Sequence, residues 1–87
     1  MESQSPYKLQ QVLIEELESQ LTDRYGPMMS GKDLYKALGY VSDHAFRQGL
    51  VRNTVNVPIF SIPHRRGKFA LTKDVAVFLA QQRASAK

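Results

Sequence analysis

The sequence predicts a small, mainly α-helical domain with one short β-hairpin. Three observations predict this fold: a leucine repeat near the start, two short helical segments separated by a three-residue turn, and an alternating apolar segment interrupted by cations. With 87 residues, 43% of them hydrophobic, the chain can form one domain with a modest core. We expect an N-terminal amphipathic helix within 1–27, a folded domain at 28–83 and a flexible tail at 84–87.

Leucines recur every four residues in the first segment, which indicates an amphipathic helix over about residues 6–22. The pair Ser5-Pro6 is typical of a helix start, and Gly26-Pro27 is typical of a helix end. Part of the apolar stripe should pack on the domain, and the remainder can pair with a second copy in a homodimer. The repeating leucines are Leu9, Leu13, Leu17 and Leu21.

Two short helices follow. "SGKDLYKALG" predicts a helix at 31–38, with Ser30 and Asp33 resembling a capping box and Gly39 as a left-handed C-cap. "SDHAFRQGLVRN" predicts a third helix capped by Ser42, after a turn of only three residues. Two helices joined by such a turn form a helix-turn-helix.

A helical wheel divides the third helix into a packing side and a projecting side. The packing side holds Ala45, Phe46, Gly49, Leu50 and Asn53. The projecting side is rich in hydrogen-bonding groups rather than in the Glu and Lys of an ordinary solvated face, and it holds His44, Arg47, Gln48 and Val51.

The stretch "VPIFSIPHRRGKFAL" predicts two short strands joined by a basic turn at 63–67. Pro58 and Pro63 restrict pairing, so at least one strand should be short or lie at an edge. Gly67 supplies the positive φ that such a turn often requires.

The last segment, "TKDVAVFLAQQRASAK", predicts a helix over about 73–83 capped by Thr72. Its apolar face should contain Val75, Phe78 and Leu79.

Charge is distributed unevenly along the chain. Residues 1–29 contain two basic and five acidic residues, whereas residues 30–87 contain ten basic and three acidic ones. No acid lies between Asp43 and Asp74. Such a basic region attracts polyanions and is the electrostatic signature of a nucleic-acid-binding protein.

A helix-turn-helix followed by a basic hairpin is a winged helix-turn-helix. The second helix of such a motif enters the major groove of DNA, and the hairpin reaches backbone phosphate or the next minor groove. Residues 29–83 resemble the winged helix-turn-helix proteins of the excisionase and mercuric-resistance-regulator superfamily, which include small regulators encoded by mobile elements and pyocin activators. The resemblance is carried by "DLYKALG", the Ser-capped helix ending near "RN", "VPIF", the Arg-Arg turn and "DVAVFLAQQR".

The resemblance implies a cytoplasmic, nucleoid-associated protein that binds double-stranded DNA, as a transcriptional regulator or a recombination directionality factor. Base contacts are expected from Arg47, which can bind guanine, from Gln48, which can bind adenine, and from two residues at the helix start. Phosphate contacts need only charge and reach, and are expected from the remaining cations. The base-contact set is Ser42, His44, Arg47 and Gln48, and the backbone set is Arg52, Arg65, Arg66, Lys68 and Lys32.

Other classes of function are less well matched. Ser61, His64 and Asp74 lack an elbow or oxyanion-hole motif, and two lone histidines without cysteine do not form a metal site, so we expect neither an enzyme nor a cofactor. No apolar run approaches the ~20 residues of a membrane span, and the N-terminus lacks signal-peptide character. One alternative is a protein-interaction adaptor whose basic hairpin contacts an acidic partner. Another is binding of double-stranded RNA, although its shallow minor groove does not suit a recognition helix.

Overall fold

The computed structural model describes residues 6–85. In this range the chain is mainly helical and includes a small antiparallel sheet, as the sequence predicts. In chain order the elements are α1 (Pro6–Tyr25), β1 (Met28–Ser30), α2 (Gly31–Ala37), α3 (Asp43–Val51), β2 (Phe69–Leu71) and α4 (Thr72–Ser85).

The first helix is longer than predicted, ending at Tyr25. Gly26 still donates its N–H to the Thr22 carbonyl at 2.8 Å, but its φ of 85° turns the chain out of the helix before Pro27. Helix α1 packs antiparallel to α4. No residue between 9 and 25 is fully buried, whereas α4 buries Thr72, Val75, Ala76 and Ala80.

The sheet joins two strands that are distant in sequence. Met29 of β1 is opposite Ala70 of β2, and both are buried. Phe69 of β2 has a pairing partner on each side. It pairs with Ser30 of β1 on one side and forms an isolated antiparallel bridge with Phe60 on the other.

This pairing corrects the predicted hairpin. The stretch 57–62 forms only the single bridge at Phe60 rather than a continuous strand, and the main partner of β2 is β1, which was not predicted. Pro58 has no N–H to donate at the next hydrogen-bonding position before Phe60, and after Phe60 the Ile62 carbonyl already accepts from the Arg65 N–H, so pairing is limited to one position. Strand β1 has three residues, too few to produce an alternating pattern.

Two of the predicted helix caps differ from the structure. Ser30 precedes α2 with extended backbone but makes no side-chain capping bond, so the predicted capping box is wrong. Thr72 is the first residue of α4 rather than its cap, and its hydroxyl donates to the Gly26 carbonyl oxygen.

The core lies where α2, α3 and α4 meet the sheet. Leu34 from α2, Phe46 from α3 and Val75 from α4 are buried there, and Phe78 and Leu79 are half-buried against it, as predicted for the apolar face of α4. The core cluster consists of Met29, Leu34, Leu38, Phe46, Val57, Ala70 and Val75.

Candidate functional site

A short, well-defined turn joins α2 to α3. Gly39 adopts a φ of 94° and donates its N–H to Lys36, while Tyr40 donates to the Tyr35 carbonyl at 2.9 Å. This pair of bonds is the Schellman motif, so the left-handed C-cap predicted at Gly39 is confirmed. The Ser42 hydroxyl then accepts a 3.1 Å bond from the Ala45 N–H and caps α3, again as predicted.

The inner side of α3 is closely packed. Phe46 is buried, and its ring lies 5.6 Å from that of Tyr40 between centroids. Gly49 is also buried, and a Cβ at that position would lie only 2.9 Å from the Tyr40 hydroxyl oxygen. Asn53, at a φ of 58°, ends the helix with a second Schellman motif, in which the Thr54 N–H donates to the Gly49 carbonyl. Hydrogen-bonded caps therefore fix both ends of α3, and the packing of Phe46 and Gly49 fixes its middle.

The outer side of α3 is open. Three of the four predicted base-contact residues lie together on a shallow depression of this face, and Arg52 extends it at the end of the helix. The fourth, Ser42, does not line the depression, because its hydroxyl is the helix cap. The lining residues are His44, Arg47, Gln48, Val51 and Arg52, and all are exposed.

Arg47 is not free on this face. Its Nε lies 2.7 Å from Oδ2 of Asp43, one turn earlier on α3, and the two side chains are 71% and 55% exposed. This is the one side-chain ion pair among residues 9–85, the range whose side chains the structure describes. Sequence reasoning missed it, although the i, i+4 spacing of an acid and an arginine was a visible signal.

Two apolar side chains are exposed near the two ends of α3. Val41, just before the cap of α3, is 89% exposed, and Val51, the last residue of α3, is 84% exposed. Isolated exposed apolar residues are common, but these two are at opposite ends of a helix whose packing face is already filled. The wheel placed Val51 on the projecting side, whereas the exposure of Val41 in a turn had no periodic signal.

The basic loop is closed by a pair of aromatic residues. Phe60 and Phe69 exchange both backbone hydrogen bonds, at 2.9 and 2.8 Å, and their rings stack with centroids 6.1 Å apart. Beyond this closure, Arg65 donates its N–H to the Ile62 carbonyl, with Pro63 and the left-handed His64 (φ 66°) between them. Pro at the second position and a positive φ at the third define a type II β-turn.

The cations of this loop are exposed. The Lys68 ammonium donates to the Ser61 hydroxyl at 3.4 Å, and Arg65 and Arg66 lie between the two left-handed residues His64 and Gly67. Gly67 has the positive φ that the sequence predicts, at 96°. Lys32 lies apart in sequence and element, at the start of α2, and is exposed as well.

Comparisons with protein-family models, curated proteins and solved structures found no match for this chain. The resemblance to the excisionase and mercuric-resistance-regulator superfamily therefore stays a prediction. Within residues 6–85, none of the helices combines the length and the apolar character needed to cross a bilayer. The same range contains no group of three His, Asp or Glu side chains arranged to hold a metal ion.

Proposed function

We propose that residues 28–83 form a winged helix-turn-helix that binds double-stranded DNA, with α3 in the major groove and the 61–68 loop on the backbone or in the minor groove. The observation that carries the proposal is the open outer face of α3, where Arg47 and Gln48 line one depression. The opposite side of this helix packs against the core. A helix presented in this way fits a groove about 12 Å wide.

The basic loop supports the proposal independently. Arg65, Arg66 and Lys68 are exposed on a segment that is closed at its base and shaped by a type II turn. Neutralising phosphates requires charge and reach, and this loop has both. We assign Arg52, Arg65, Arg66, Lys68 and Lys32 to the phosphate backbone, and His44, Arg47 and Gln48 to base edges. Ser42 can contribute its hydroxyl proton, because the cap uses only its oxygen as an acceptor.

We further propose that the protein acts in the cytoplasm, on the nucleoid, as a transcriptional regulator or as a recombination directionality factor. Both activities require the same docking of α3 and the loop, and neither requires bond-making chemistry. Specificity would come from base contacts and from the deformability of the site, with the basic loop supplying affinity.

A homodimer through α1 is a second part of the proposal. Leu9 remains 54% exposed and Val12 43% exposed, next to a groove between α1 and α4 that Leu13 and Ala84 also line. A second copy of the chain would cover this apolar surface of α1, and the two α3 helices of the dimer would recognise two half-sites. Sedimentation of the wild type should give about twice the 9.9 kDa chain mass, and Leu9→Glu should give the monomer mass. Val41→Glu, at an exposed apolar residue outside α1, is the matched control and should sediment as the wild type does.

An adaptor function is the competing proposal, and the exposed valines are the observation that favours it. Val41 and Val51 would suit the apolar centre of a protein interface, with the basic loop contacting acids on its rim. Under this alternative the protein would be retained by an acidic partner but not by duplex DNA.

The decisive experiment is a fluorescence-anisotropy titration of random-sequence duplex DNA at several salt concentrations. We expect a steep negative slope of log affinity against log salt for the wild type, reduced by roughly two for Arg65→Ala/Arg66→Ala and by roughly one for Arg66→Ala. Arg24→Ala is the matched control for the single variant, because it removes the same charge from α1, and it should leave the slope unchanged. A wild type with no salt-dependent binding would rule out the DNA proposal, and equal competition by duplex RNA would redirect it to RNA.

A further inference from the structure

We propose that Asp43 is a positioning residue that orients Arg47 toward guanine and whose charge weakens binding to phosphates. This inference rests on the proposed DNA-binding function. It gives that function a substrate preference: a duplex site with a guanine opposite Arg47.

The geometry of the ion pair supports an orienting role. Oδ2 of Asp43 lies 2.7 Å from Nε of Arg47, the length of a charge-assisted hydrogen bond. Nε–H is only one of the five N–H donors of a guanidinium, and it lies on the inner edge of the group. The two terminal nitrogens form the outer edge, and they are the atoms that bind O6 and N7 of guanine as a bidentate pair.

The pair also reduces the entropy lost on binding. A free arginine side chain on a helix surface samples many rotamers, and ordering it opposes association. The carboxylate restricts Arg47 before DNA arrives, so less side-chain entropy is lost when guanine is bound. Stability does not explain the pair, because ion pairs as exposed as this one, at 71% and 55%, contribute little to folding.

The charge of Asp43 has a second effect. Asp43 is the one acid of α3, and the next acid along the chain is Asp74. A carboxylate on the DNA-facing side of the helix lies within a Debye length, about 8–10 Å, of the phosphates that line the groove. It repels them at every site, so it lowers specific and non-specific affinity alike. The ratio of specific to non-specific affinity is raised by the oriented arginine, which gains only where a guanine is present.

A simpler role for Asp43 is that of a first-turn acid that stabilises α3 through the helix dipole. Asp33 provides a matched control, because it is the first-turn acid of α2 and is exposed, but the residue four positions later is Ala37. Asp33→Ala thus removes the same charge and the same helix-start interaction without an arginine partner.

The experiment compares three binding measurements across the wild type, Asp43→Ala, Asp43→Glu, Asp33→Ala and Arg47→Ala. The first uses a random-sequence duplex. The second uses a duplex selected by the wild type from a randomised library. The third uses the selected duplex with 7-deazaguanine, which lacks the N7 acceptor, at the guanine whose effect depends on Arg47.

For Asp43→Ala we expect tighter binding to the random duplex by roughly two- to fivefold, and a preference for guanine over 7-deazaguanine that is weakened by roughly three- to tenfold. Asp43→Glu should retain the guanine preference, since a glutamate can also reach an arginine one turn later. Asp33→Ala should leave the preference unchanged. If circular dichroism shows that Asp43→Ala is unfolded, Asp43→Asn replaces it, because asparagine keeps an oxygen acceptor without the charge.

The two proposals fail in different ways. A wild type that binds no duplex overturns the proposed function, and this inference with it. A wild type that binds a selected site with no guanine preference dependent on Arg47 overturns only the inference. The same holds if Asp43→Ala and Asp33→Ala behave alike.

Discussion

The hydroxyl of Thr72 donates a 2.7 Å hydrogen bond to the carbonyl oxygen of Gly26, which joins the start of α4 to the end of α1 across 46 positions of sequence. The Thr72 N–H adds a 2.9 Å bond to the Pro27 carbonyl, and the residue is only 1% exposed. These bonds connect the end of α1 to α4, whose buried residues belong to the core of the domain that carries the candidate site.

Thr72→Val removes the hydroxyl at nearly constant volume and leaves the Gly26 carbonyl without this partner. We expect the free energy of unfolding to fall by about 1–2 kcal/mol, the usual effect of losing one partner of a shielded hydrogen bond. Urea unfolding followed by circular dichroism measures the change. Thr22→Val, at an exposed position of α1, is the control and should lie within about 0.5 kcal/mol of wild type. Equal stability of the two variants would contradict a stabilising role for the Thr72 bond.

Gly49→Ala tests the close packing behind α3. Alanine gains about 0.5–1 kcal/mol in a helix over glycine, but its Cβ would lie 2.9 Å from the Tyr40 hydroxyl and 3.1 Å from Cγ2 of Val55. Overpacking of this kind costs about 1–3 kcal/mol, so we expect a net loss near 1 kcal/mol. Tyr40→Phe removes the clashing oxygen and should recover part of that loss in a double-mutant cycle. A stabilised Gly49→Ala single variant would show that this contact is readily relieved.

The two histidines should respond oppositely to glycine. His64 has a φ of 66° in the type II turn, a conformation that costs a non-glycine residue roughly 1–2 kcal/mol. His64→Gly relieves that strain and should match or exceed the wild-type stability by up to about 1 kcal/mol after the entropy of glycine is included. His44→Gly lies within α3 and should lose about 0.5 kcal/mol through lower helix propensity. Thermal unfolding of both variants measures the changes in stability. If His64→Gly destabilises the protein as much as His44→Gly does, the turn at His64 is not strained.

Val51 should detect thymine if α3 enters the major groove. Its side chain is 84% exposed on the face that carries Arg47, and apolar contacts recognise the 5-methyl group of thymine. Replacing thymine by uracil in a selected site should weaken wild-type binding by about fourfold, the effect of one buried methyl group. Val51→Ala should show a smaller loss, while Val12→Ala in α1 should behave as the wild type. If replacing thymine by uracil weakens binding equally for Val51→Ala and the wild type, Val51 does not contact the methyl group, and a protein partner for this valine is favoured.

The helices were largely predictable because their signals are local. Ser42 could be recognised as a cap because its hydroxyl bonds to a group three residues away. Gly39 could be recognised as a C-cap because a left-handed residue after a helix is a property of glycine itself. The projecting side of α3 followed from the 100° wheel, which brings His44, Arg47 and Gln48 together in sequence and in space.

Features that depend on long-range contacts could not be predicted in this way. The pairing of Met29 with Ala70 depends on how the helices between them fold back, and three-residue strands contain no periodic signal of their own. Thr72 was predicted as a cap because its neighbours in sequence suggest one, yet its hydroxyl donates to Gly26, which only the packing of α1 against α4 brings within reach. The exposure of Val41 likewise depends on which surfaces the rest of the chain covers. Local hydrogen bonding and side-chain periodicity can thus be read from neighbouring residues, whereas burial and strand pairing result from all the contacts of the folded chain.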